Sequence, residues 1–164
     1  MMIGHAPSGY LLATFLYRIR TARGIARPAF FAAAIIGALA PDLDMLYFHF
    51  ADHRQHHHHT YWPHFPSVWL ALLALTAAWS AISTTSRHAA LAFVFCLGGF
   101  THLLLDSIVG DIWWFAPLID RPFSLFSVPA RYHPWWLNFI FHWSFALELA
   151  LWLWALLLYR RRTR

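Results

Sequence analysis

Residues 137–159, LNFIFHWSFALELALWLWALLLY, contain Glu148 as their single charged residue and are closed by RRRTR. At about 1.5 Å of rise per residue, a helix of this length matches a ~30 Å hydrocarbon core. Such a run is hard to bury in a soluble domain of this size, and it sets the terms for everything else. Four more apolar segments precede it: 3–17, 28–50, 67–82 and 88–109. The second and fourth are long enough to cross a bilayer. The third is marginal, and the first is short enough to suggest a half-inserted or re-entrant helix.

Composition agrees. Of 164 residues, 60% are hydrophobic, 19% aromatic and only 12% charged, whereas soluble domains carry about 25% charged residues. The chain reads as one all-α domain, 1–164: an integral membrane helical bundle with four to five membrane-embedded segments. The lone cysteine, Cys96, lies within LAFVFCLGGF and reads as a small buried hydrophobe. The first apolar stretch lacks a preceding basic region, so the spans themselves are expected to direct insertion rather than a cleavable signal.

Every basic residue is Arg, and the formal net charge is +5. The arginines flank apolar segments and form no basic stripe on a polar one, so the excess points to membrane orientation and not to nucleic acid. With alternating segments, Arg18–Arg27, Arg87 and Arg160–Arg164 fall on one side, cytoplasmic by the positive-inside rule. The other side receives His5, Asp42, Asp44, the histidine-rich stretch DHRQHHHHTYWPH (52–64), His102 and Asp106. It also receives the loop 110–136, whose four Trp and four Pro suggest an interfacial cap on the outer face.

In THLLLD, His102 and Asp106 are four apart, on one face of a helix and well inside an apolar span. Ionisable groups there are costly unless paired or functional. They can share a metal ion, or the carboxylate can orient the ring, or the two can simply join helices. In APDLD, Asp42 and Asp44 follow Pro41 at the end of an apolar helix, where the macrodipole disfavours negative charge and a cation would compensate it. Imidazole suits zinc, iron, nickel or copper, and carboxylate extends the choice to manganese and magnesium. Of the histidines in 52–64, two ligands are expected, the rest solvated. Glu148 sits about 18 Å from Arg160 along a straight helix; it can support a site, pair with an arginine or stay protonated, and is left outside the ligand set. No P-loop, CxxC pair, HExxH helix or nucleophile elbow occurs.

In their order along the chain, IGHAPSGY, APDLD, the histidine segment and FTHLLLD resemble the bacterial inner-membrane metal-dependent hydrolases, over roughly residues 3–130. That family is distantly similar to zinc-dependent phospholipases C. Its H-R-x-x-[ST]-H segment matches HTYWPH, pairing His59 with His64, although Thr60 and Pro63 depart from the pattern. A competing match at HRQHHH keeps Arg54 and pairs His53 with His58. The resemblance implies a divalent metal ion, zinc foremost, held among His5, Asp42, Asp44, His59, His64, His102 and Asp106. It implies catalytic roles for Asp42, Asp44 and Asp106, and a phosphoester of a lipid or lipid-linked compound as substrate. The expected location is the bacterial inner membrane, multi-pass, with the active site on the periplasmic face. A metal-binding or metal-transporting membrane protein without hydrolysis is the alternative.

Overall fold

A computed structural model describes residues 1–18 and 24–163. Arg20, Arg23 and Arg164, on which part of the expected orientation rests, lie outside the described residues. Among the described residues seven α-helices follow in order: α1 (His5–Arg18), α2 (Arg27–Leu39), α3 (Asp44–Phe50), α4 (Pro66–Ile82), α5 (Arg87–Asp106), α6 (Trp136–Ile140) and α7 (Trp143–Thr163). Among the described residues the only β pairing is an isolated bridge, Ile112 with Phe123. The architecture is all-α, as expected.

Local chemistry sets the boundaries. Proline opens α2 and α4, where its missing N–H costs nothing. Ser86 caps α5, its Oγ accepting the Ala89 N–H. Pro41 splits the second apolar segment into α2 and a 3-10 turn running into α3, bent by 56°. The segment 137–159 is likewise not one helix. It breaks after α6, where His142 Nδ1 accepts from the Ser144 hydroxyl at 2.9 Å and α7 starts afresh.

The count of spans is therefore smaller than the four to five expected. α5 and Trp143–Arg162 of α7 are long and apolar enough to cross a membrane, and the bent α2–α3 pair makes a third if taken as one span. α4 has 17 residues and α1 has 14, about 25 and 21 Å of helix, short of ~30 Å.

α2 lies between α1 and α5, and α5 between α2 and α4. Backbones meet where α2 crosses α5: a Cβ on Gly37 would stand 2.1 Å from the Phe95 carbonyl oxygen, and one on Gly98 2.5 Å from that of Ala34. Small residues allow this approach in a bilayer, where packing drives helix association. One core cluster holds Ala13, Ile25, Phe30, Phe31, Ala34 and Val94; another holds Trp69, Cys96, Leu103 and Ile112. Arg27 and Arg162 both stand over the Phe31 ring, at 5.2 and 5.5 Å, so the start of α2 and the end of α7 share one end of the bundle.

Candidate metal centre

At the opposite end, four stretches of chain converge. His5 opens α1, and Asp42 lies in the turn after Pro41. Asp44 opens α3, His59 and His64 sit in two short 3-10 turns, and His102 and Asp106 end α5. Six of the seven are buried, while the Asp42 side chain is 36% exposed.

His64, His102 and Asp106 each offer a ligand atom within 4.8 Å of the other two; so do His5, Asp42 and His102, and so do His58, His59 and His64. His102 Nε2 is 2.9 Å from Asp106 Oδ2 and 3.6 Å from Asp42 Oδ1. His64 Nε2 is 3.8 Å from Asp42 Oδ1 and 3.9 Å from Asp106 Oδ2. His59 Nε2 is 3.7 Å from Asp106 Oδ2.

Hydrogen bonds fix the tautomers. The Nδ1–H of His102 donates to the Ala38 carbonyl at 2.8 Å, and that of His59 to the Asp111 carbonyl at 2.9 Å. A carbonyl only accepts, so these rings carry a proton on Nδ1, and in the neutral ring the lone pair is on Nε2. The Nδ1 of His64 donates likewise to Asp44 Oδ2 at 2.6 Å. The Nε2 atoms of His64 and His102 are buried without a hydrogen-bond partner. Burial pushes the His64 imidazole below its ordinary pKa against the pull of Asp44, and pushes His59 well below against Asp106. Both shifts favour the neutral ring, the form that binds metal.

His5 is arranged differently. Its ring stacks on His102 with centroids 3.6 Å apart, and its Nε2 lies 3.1 Å from the Met1 carbonyl and 3.2 Å from Asp106 Oδ1. That Nε2 carries the hydrogen, so His5 donates into the cluster. The amino group of Met1 also meets Asp106 Oδ1. Asp44 holds His64 through one oxygen, while its other lies 3.7 Å from His58 Nδ1.

His58 was not among the seven expected ligands; of the two possible matches, only the competing one contained it. His53, its partner there, lies in an exposed turn and joins none of the three groups. His56 is exposed and paired with Asp52 at 2.7 Å. The Asp111 and Ala38 carbonyls had no signal in the sequence, because any residue can supply them.

A cavity of about 540 Å³ opens onto the cluster. Its polar side includes Asp42, His58, His59 and Asp106; its apolar side includes Met45, Val109, Val128, Trp135 and Phe139. The aromatic loop thus walls this cavity. The loop is folded back by the Ile112–Phe123 bridge and by the Leu125 N–H on the Ser107 carbonyl at 2.8 Å.

No curated protein and no solved structure matches the chain. A family model does, over residues 1–162, nearly the whole length. Its description agrees with the apolar helices, and on that match the chain belongs to the YdjM inner membrane protein family.

Proposed function

We propose that this inner-membrane protein is a metal-dependent hydrolase acting on a phosphoester of a lipid or lipid-linked substrate. One observation carries the reading. Two lone pairs, His64 Nε2 and His102 Nε2, are buried without partners and face the carboxylates of Asp42 and Asp106 across 2.9–3.9 Å. The Met1 amino group and the His5 Nε2–H meet the other oxygen, Asp106 Oδ1, but the acceptors that face one another on the Oδ2 side are where a further cation would be stabilising. A divalent ion, zinc foremost, suits two imidazoles and two carboxylates, and manganese or magnesium are the other choices. His64, His102, Asp106 and Asp42 would hold it, with His59 beside Asp106.

When bound, such an ion acidifies water and polarises a phosphoryl oxygen. The chain's own residues supply the rest. Asp42, the exposed member, can accept the proton of an attacking water as the new P–O bond forms. The ester P–O bond breaks, and the departing alkoxide takes up the proton that Asp42 received, leaving as the alcohol. Asp44 orients His64, and the Ala38 and Asp111 carbonyls orient His102 and His59.

The surroundings support an amphiphilic substrate. The cavity pairs a polar floor with an apolar wall. A second, almost wholly apolar groove of about 520 Å³ begins at Ala6 and Pro7, just after His5. It follows α1 and α7 to Tyr10 and Tyr159, the direction in which an acyl chain would lie. The arginine end favours a multi-pass topology with the site facing the periplasm. Transport is less well supported, because the buried imidazoles and carboxylates among the described residues all belong to the site or are Glu148 beside it, whereas Ala13, Phe30, Phe31, Ala34 and Val94 fill the core towards the arginine end.

The test is elemental analysis of purified protein together with hydrolysis of phosphodiester and phosphomonoester lipids in vesicles. Near-stoichiometric metal and turnover abolished by His102→Ala support the reading. Protein that neither retains nor regains metal overturns it.

A further inference from the structure

Glu148 is the only Glu of the chain and sits within α7, 1% exposed. A carboxylate at this depth in an apolar helix is costly without strong partners. It has three, all of them main-chain N–H groups: Met2 on Oε1 at 3.1 Å, and Ile3 and Gly4 on Oε2 at 2.5 and 2.8 Å. Trp152, one turn further along α7, donates its indole N–H to the Ile3 carbonyl at 2.9 Å. The segment before α1 is therefore held by α7 through donors and acceptor alike.

The next residue is His5. The Gly4 carbonyl accepts the Ser8 N–H at 3.1 Å, which makes Gly4 the cap of α1 and places Glu148 at that helix's positive end. Apolar contacts, such as Phe15 against Trp154 at 5.6 Å, already join α1 to α7, so the carboxylate is not needed merely to dock the helix. Its three bonds instead fix the main chain from which His5 stacks on His102 and reaches Asp106.

We infer that Glu148 is a positioning residue of the metal centre: by clamping the backbone of residues 2–4 to α7 it sets the His5 ring against His102 and Asp106. The consequence for metal affinity rests on the hydrolase reading; the clamp does not. Glutamine at 148 offers one acceptor where the carboxylate has two and turns an NH2 toward N–H donors. Aspartate keeps the charge but falls one methylene short.

The experiment uses the full chain in detergent or nanodiscs, with zinc as the probe. In Glu148→Gln, amide hydrogen exchange of Met2, Ile3 and Gly4 rises and the ring NMR signals of His5 shift, whereas the neighbouring Leu149→Ala leaves both unchanged. Zinc affinity falls about 10–100-fold, the range for lost supporting partners. Glu148→Asp behaves like Glu148→Gln. In a His5→Ala background, Glu148→Gln costs nothing further, because the two act through one path. Unchanged exchange at residues 2–4 overturns the clamp, and fully multiplicative losses in the double variant overturn positioning through His5. Wild-type protein that binds no zinc sinks the hydrolase reading alone, and the exchange and ring signals still decide the clamp.

Discussion

His102 Nε2 stands 2.9 Å from Asp106 Oδ2 while its own Nδ1–H is committed to the Ala38 carbonyl. A lone pair therefore faces a carboxylate in a buried site, one helical turn apart on α5. Asp106→Asn replaces one acceptor by an amide that can donate to His102. The variant also gives up the charge met by the Met1 amino group and the His5 ring, so its metal-free form should be no more stable than metal-free wild type, and it should lose the rise in melting temperature that zinc confers on the wild type. Thermal unfolding with and without chelator reads both. An Asp106→Asn protein that keeps the full zinc-dependent rise would mean that Asp106 does not hold the ion.

Asp42 and Asp44 separate by role. Asp44 is buried and holds His64 at 2.6 Å, whereas Asp42 faces the cavity. Asp44→Asn should weaken zinc binding about 10–100-fold, since the ring loses its orienting carboxylate. Asp42→Asn removes a ligand oxygen as well as the general base, so it should weaken zinc binding at least as much and, even at saturating zinc, lose most turnover, about 10²–10⁴-fold for the lost base. Metal titration set beside a phosphodiester assay at saturating zinc distinguishes them, and equal losses of turnover there would remove the division.

How far the sequence reached depended on distance along the chain. His102 and Asp106 were legible because helical periodicity alone puts i and i+4 together. The arginine topology put His5, Asp42, His59 and His64 on one side, and the order of motifs singled them out as ligands, since nothing local says that four stretches meet. The hold of Asp44 on His64 spans twenty residues and could not be read, because it depends on the bend at Pro41. The four to five embedded segments exceed the two or three spans because the first and third, already read as short and marginal, fold into helices too short to cross, and the bend at Pro41 leaves the second a broken span. Glu148 drew notice by its cost, but its partners are backbone N–H groups, which leave no trace in residue identity.

The crossing of α2 and α5 ties fold to site. Gly37→Ala would place a methyl 2.1 Å from the Phe95 carbonyl, so the helices must separate. A loss of about 1–3 kcal/mol in stability follows from overpacking of this kind. Because the next residue, Ala38, supplies the carbonyl that orients His102, zinc affinity should fall as well. Denaturation in detergent and zinc titration measure the two effects, and a stable variant with unaltered affinity would contradict the coupling.

Asp52 organises the start of the histidine loop. Its carboxylate accepts the Gln55 and His56 N–H groups at 2.8 and 2.9 Å and pairs with the His56 ring. Hydrogen bonding to His56 draws its pKa from 3.8 down to about 2. A carboxyl group depressed in the folded protein contributes stability above its unfolded value and loses it as pH falls through the folded one. Amide exchange at Gln55 and His56, corrected for intrinsic rate, should stay slow from pH 7 to about 4 and accelerate towards pH 2. Asp52→Asn should show fast exchange throughout.

Topology can be read by labelling. The histidine loop and the turn before Arg87 lie at opposite ends of the bundle if the arginines mark the cytoplasmic side. Gln55 is exposed in the first and Thr85 in the second. Cys96 is buried in α5 and is removed as Cys96→Ala to clear the background. In that protein, Gln55→Cys should react with a membrane-impermeant maleimide in intact spheroplasts, while Thr85→Cys should react only after the membrane is opened. The reverse pattern would put the cluster of His64, His102 and Asp106 on the cytoplasmic side. Any substrate would then have to come from the inner leaflet, and the arginines would be serving some purpose other than orientation.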